Sequence, residues 1–64
     1  MAREAEFMSP EGLADYLGLP VRTVYSWRHR GSGPRGIKVG RHVRYRRTDV
    51  DDWLEKLADQ EPAA

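Results

Sequence analysis

Residues 19–30, LPVRTVYSWRHR, are the stretch from which the fold follows. Pro20 is tolerated where a helix begins, because the N–H groups of a first helical turn have no partner to lose. Gly31 comes directly after Arg30, the position one step past a helix end. Val24 and Trp27, three apart, make one narrow apolar stripe, and Leu19 and Val21 anchor its start. Around the stripe stand Arg22, Thr23, Tyr25, Ser26, Arg28, His29 and Arg30, with no acid among them. A short helix buried along one edge and cationic elsewhere is suited to lying against a polyanion.

Upstream, Ser9-Pro10-Glu11 reads as an N-cap, a proline at the first helical position and an acid in the first turn. Met8 before the cap and Leu13 four after it have the spacing of a hydrophobic staple. Leu13, Tyr16 and Leu17 then recur at helical intervals, which predicts a helix over Pro10 to Leu17, closed by Gly18. Only Gly18-Leu19-Pro20 separates the two helices, so they must touch at a steep angle, the helix-turn-helix geometry. An ordinary helical corner with no ligand has the same spacing. The acid-free second helix tips the reading towards nucleic acid.

Downstream, Gly31-Ser32-Gly33-Pro34-Arg35-Gly36 reads as a loop. Ile37, Val39, Val43 and Tyr45 alternate with Lys38, Arg44 and Arg46 on either side of Gly40-Arg41-His42, a period of two that predicts a β-hairpin. A three-residue loop would pair Val39 with Val43 and Ile37 with Tyr45, gathering all four apolar residues on one face. A two-residue Gly-Arg turn would pair Lys38 with Val43 and spoil that face, so the longer loop is expected. Arg41 and His42 then form a cationic tip, a wing. Thr48-Asp49-Val50-Asp51 has the form of a capping box opening the last helix, with Asp49, Asp51 and Asp52 favoured by the dipole of its first turn rather than by a metal. Val50, Trp53, Leu54 and Leu57 mark its core face. Trp27 and Trp53 each fall in an apolar register, which favours packing over base stacking. The polar start to Glu6 and the tail from Gln60, with Pro62, read as frayed, leaving an ordered core of about residues 8–59 within a single domain, 1–64.

The net charge of +1 conceals a strong dipole. Residues 22–47 hold nine of the eleven basic residues and none of the ten acids, so the middle carries +9 and the flanks −8. A segregation this complete argues for an anionic partner facing the middle. Nine arginines against two lysines suit bidentate phosphate and guanine contacts, although a GC-rich genome has the same signature. There are no cysteines, so no disulfide or thiolate zinc site is expected and a reducing cytoplasm is compatible. His29 and His42 are thirteen apart and read as solvated cationic-face residues, with no metal and no cofactor expected. No apolar run has the length of a membrane span, and no membrane partner is expected.

In the words SPEGLADYLGLPVRTVYSWRHRG and IKVGRHVRYRRTDVDDWLEKL the chain resembles the winged helix-turn-helix group that includes MerR-type DNA-binding domains and phage excisionases. The matching pieces are an L-A-x-x-L-G helix, a T-V-Y-x-W recognition helix, a V-G-x-x-x-R-Y wing and a D-x-x-x-W-L closing helix, and they cover about Ser9 to Leu57. The resemblance implies a small α+β fold: helix-turn-helix, two-stranded antiparallel wing and C-terminal helix. It places the second helix in the major groove of double-stranded DNA. Base contacts are then expected from Arg22, Thr23 and Ser26, with Arg22 bidentate to guanine or Thr23 on a thymine methyl. Tyr25, Arg28 and Arg30 are expected on phosphates, with Lys38 and Arg44 on the backbone beside the wing. Arg41 and His42 are expected at the minor groove, where arginine reads groove width. Arg46 and Arg47 are either phosphate contacts or solvated strand ends.

Small members of this group resemble recombination directionality factors, which bind tandem sites cooperatively, bend DNA and work with an integrase. Others are transcription regulators. These 64 residues hold no long dimerisation helix or effector-binding extension, so MerR-style dimerisation and effector sensing are not expected. Acidic ends and a basic middle are suited to head-to-tail self-association on DNA. A module that binds an acidic protein surface instead of DNA is the rival from another class. An enzyme is not expected: no Ser-His-acid set, thiol or phosphate-cradling glycine loop is present, and the chain is too short to enclose a substrate.

Overall fold

The structure, a computed structural model, describes residues 6–60. Apart from Glu6 and Gln60, the expected frayed start and tail lie outside them. Along the chain run β1 (Phe7–Met8), α1 (Pro10–Leu17), α2 (Val21–Arg30), β2 (Ile37–Val39), β3 (His42–Arg46) and α3 (Arg47–Gln60). The three helices and a three-stranded antiparallel sheet make a winged helix-turn-helix.

The helix-turn-helix forms as its sequence signals dictate. Ser9 Oγ accepts from the Gly12 N–H at 3.0 Å, supplying one orphan donor of α1. Gly18 closes α1 in the left-handed region, and Leu19 N–H returns to Ala14 O at 2.9 Å. Gly31 closes α2 the same way, with Ser32 N–H on Trp27 O at 2.8 Å. Pro20 occupies the N-cap of α2 with no side-chain cap, which a proline cannot supply. Leu13, Val24 and Val50, one from each helix, are fully buried, and Ala14 and Tyr45 join them at 3% exposure. Met8, Leu17, Val21, Trp27, Val43 and Leu54 pack around this centre, which brings Met8 against the cluster that contains Leu13. A side chain of this kind contributes about 1.5–3 kcal/mol on full burial, so a fold with three of them rests on few contacts. Gly33 lets the loop after α2 fold back onto Trp27: a Cβ there would lie 2.9 Å from the Trp27 ring, and the backbone stands at φ +83°.

The hairpin departs from expectation. Ile37 pairs with Arg44, Lys38 with Val43 and Val39 with His42, so the turn is the two-residue Gly40-Arg41, and His42 begins β3 instead of sitting at the tip. The four apolar residues therefore divide between faces. Val43 and Tyr45 turn to the core, while Val39 is 54% exposed. Burial of β3 is what the core requires, because β3 is the central strand. The short rim strand β2 gains little from burying Ile37 and Val39, so the tight turn, with Gly40 at φ +65°, sets the register.

A third strand had no signal of its own. Phe7 pairs with Arg46 and Met8 with Tyr45, adding β1 to the other edge of β3 and extending the expected two-stranded wing to a sheet ordered β1-β3-β2. The same neighbourhood changes the start of α3. The helix begins at Arg47, placing Thr48 inside the first turn and not at the cap. Arg47 N–H donates to Glu6 O at 2.8 Å, continuing the β1–β3 pairing into the first residue of α3, so the helix starts ahead of the expected Thr48 cap. Asp51, the box's acid, instead accepts from Tyr16 Oη at 2.8 Å. Tyr16 is accordingly 43% exposed on the α1–α3 seam, and Leu57, at 37%, lies at the edge of the expected core stripe.

Candidate nucleic-acid interface

Burial of Val24 fixes how α2 is turned. At about 100° per residue, the side chains of Arg22, Ser26 and His29 fall opposite Val24, and all three are exposed. Tyr25 and Arg28 occupy the flank towards the wing. Thr23, half-buried, and Arg30, exposed, occupy the other flank. Arg22 and Ser26 thus share the outermost face as expected, Thr23 stands beside it, and His29 belongs with them. The three-four spacing of residues 22, 26 and 29 carries that signal once Val24 is known to point inward.

The wing flank is a built surface. A groove of about 340 Å³ is lined by Ser9, Pro10 and Glu11 at the start of α1, Tyr25 of α2, and Arg41, His42, Val43 and Arg44 of the wing. Recognition helix and wing therefore border one concavity, and Arg22 is about 60° around the helix from the Tyr25 that lines it. Arg28 reaches along the same flank to the base of the hairpin, where its Nη1 is 3.3 Å from the point a Cβ on Gly36 would occupy. Arg44 is half-buried, and its guanidinium donates to Val43 O at 2.8 Å. Arg41, His42 and Lys38 are exposed.

Not every cation of the basic middle faces this groove. Arg46 Nη1 stands 3.8 Å from Asp49 Oδ2, and its guanidinium lies 5.9 Å from the Phe7 ring centroid. Arg47 Nε stands 3.7 Å from Asp51 Oδ2 and its guanidinium 4.9 Å from the Tyr16 ring. Both are engaged within the fold on the α3 side. Such partly exposed pairs stabilise little, but they engage both guanidinium groups with acids of α3.

Tyr25 Oη donates to Glu11 Oε2 at 2.9 Å, a contact across the turn that the sequence did not announce. A hydrogen bond from its own backbone, then that from Tyr25, then the charge of Arg44 hold the Glu11 carboxyl below the ordinary glutamate value. The same bond to Glu11 raises the Tyr25 phenol. Tyr45, buried under the sheet, is raised by desolvation, with Arg28 opposing. The tryptophans pack on one another, Trp27 edge to face with Trp53 at 5.1 Å and 62°, which accounts for both rings without a base between them.

A tight helix-turn-helix with an exposed acid-free second helix, flanked by a cationic β-ribbon, defines a winged DNA-binding module. Residues 7–58 match the family model described as a helix-turn-helix domain, which spans most of the chain, and the protein belongs to that family, which includes excisionase-like and MerR-like small proteins. No curated protein matches the sequence. Among the described residues no helix is long and apolar enough to cross a membrane.

Proposed function

We propose that the protein binds double-stranded DNA sequence-specifically, with α2 in the major groove and the Gly40-Arg41 turn at the neighbouring minor groove. The observation that carries this reading is the shared groove of Tyr25, Arg41 and Arg44, which sets helix and wing on one side of the molecule. Arg22, Ser26 and Thr23 read bases, and His29 joins them at the outer face. Tyr25, Arg28, Arg30, Lys38 and Arg44 hold phosphates, while Arg41 and His42 enter or straddle the minor groove. The function is binding, without catalysis.

One such module covers only about 600–1,000 Å² on DNA, little for a demanding site. Cooperation between copies on adjacent sites makes up the difference. The acids of α3 (Asp52, Glu55, Asp59) are exposed on the element that follows the wing, so one copy can offer its α3 to the basic middle of the next, a contact that extends along DNA without closing. The role that fits is that of an excisionase-type directionality factor, bending DNA beside a recombinase. A footprint on the DNA flanking the protein's own gene tests it. A periodic array supports the directionality factor, and an isolated site over a promoter assigns a transcription regulator instead. Absence of salt-dependent retention on any duplex turns the reading to an acidic protein surface.

A further inference from the structure

Among the described side chains that line the groove between α2 and the wing, one is acidic. Arg41 and Arg44 bring two positive charges there and Glu11 brings one negative charge. The carboxylate is not a passing neighbour. Its Oε2 accepts from Tyr25 Oη at 2.9 Å, and it lies close enough to Arg44 to feel that charge. Glu11 also stands in the first turn of α1, where the helix dipole favours an anion and backbone N–H groups face outward. Without the Glu11 charge this groove would carry both arginine charges unopposed; with Glu11 held in it by Tyr25, its attraction for phosphate is reduced and is locally reversed beside the carboxylate.

We propose that Glu11 is a specificity-determining residue: a carboxylate held by Tyr25 between helix and wing that penalises docking of the DNA backbone at unselected registers. This rests on the DNA-binding reading above. Sequence-independent binding is almost wholly electrostatic, so a fixed negative charge in the cationic groove weakens it directly. At a preferred site the base contacts of α2 fix the register, with Arg41 at the minor groove and phosphate over Arg44 and not over the carboxylate. Discrimination then comes from a repulsive element set against the wrong partner as well as attraction to the right one. Glu11 also withholds the Tyr25 proton, so a phosphate that would accept from Tyr25 must displace the carboxylate first.

The test compares the intact wild-type chain with Glu11→Gln, which keeps an acceptor for Tyr25 and removes only the charge. Two probes are used: a mixed-sequence 30-base-pair duplex and a duplex enriched by the wild-type chain from a random pool. Glu11→Gln is expected to bind the mixed duplex about fivefold more tightly, the scale of one exposed charge pair, and the enriched duplex less than about twofold more tightly. The specificity ratio then falls. Asp15→Asn, which removes an exposed acid at the other end of α1, is expected to leave the ratio unchanged. Equal gains on both duplexes, no gain on the mixed duplex, or the same fall with Asp15→Asn overturns the proposal. If the wild-type chain binds neither duplex, it is the DNA-binding reading itself that fails.

Discussion

Trp27 and Trp53 meet edge to face with ring centroids 5.1 Å apart, tying the recognition helix to the closing helix through two side chains twenty-six positions apart in sequence. The contact adds to the burial of Val24 in setting how α2 is turned, with Arg22 and Ser26 outward. Trp53→Ala is expected to destabilise the fold by about 2–4 kcal/mol, read as a lowered urea midpoint at unchanged slope. DNA binding should fall only as folded protein is lost. A variant of undiminished stability that no longer binds DNA would make Trp53 a stacking platform.

The hairpin register gives a second prediction. With Val39 exposed at the rim and Val43 packed on the core, the two valines should respond differently to charge. Val39→Lys is expected to change stability by no more than about 0.5 kcal/mol, and Val43→Lys to cost about 2 kcal/mol or more. Thermal melts of the two variants decide it. Equal losses would restore the four-residue apolar face that the alternating pattern implies.

Arg22 and Arg28 lie on the same helix but do different work in the proposed complex. Arg22→Ala is expected to relax sequence preference, losing about 1–3 kcal/mol of discrimination at one base pair. Arg28→Ala should weaken all duplexes alike and reduce the salt slope by about 1. Binding of both variants to a panel of duplexes at two salt concentrations separates the roles. Indistinguishable panels would show the assignment to be wrong.

The Tyr25–Glu11 bond links folding to pH at both ends of the range. The folded Glu11 carboxyl is lowered, so its stabilisation is present above the ordinary carboxylate value and is lost as pH falls through the folded value. The Tyr25 phenol is raised, so its contribution is present below the ordinary tyrosine value and is lost as pH rises through the folded value. Tyr25→Phe removes the shared bond. The difference in melting temperature between wild type and this variant should therefore be greatest near neutrality and shrink towards both acid and alkali. A difference constant with pH would exclude the linkage.

Much of this molecule was legible in short-range signals. Ser9-Pro10, Gly18 and Gly31 fixed the bounds of α1 and α2 because a cap or a left-handed residue acts within a turn of itself. The acid-free surroundings of Val24 and Trp27 marked the exposed face of α2, since helical periodicity and charge are both local properties. The order of charges along the chain, without any structure, showed their segregation. Three features were decided by the assembled fold. The register of Ile37–Val39 followed a tight turn and a rim position, so burial could not act on all four apolar residues together. The strand Phe7–Met8 exists because β3 offers it an open edge, and two residues have no pattern to read. The capping box gave way because β3 runs directly into α3, with Arg47 N–H paired to Glu6 O forty-one positions away, so Thr48 falls inside the helix and not at its cap. The groove with Glu11 against Tyr25 and Arg44 belongs with these: it gathers three segments, and only packing around Leu13, Val24 and Tyr45 sets how far apart their side chains stand.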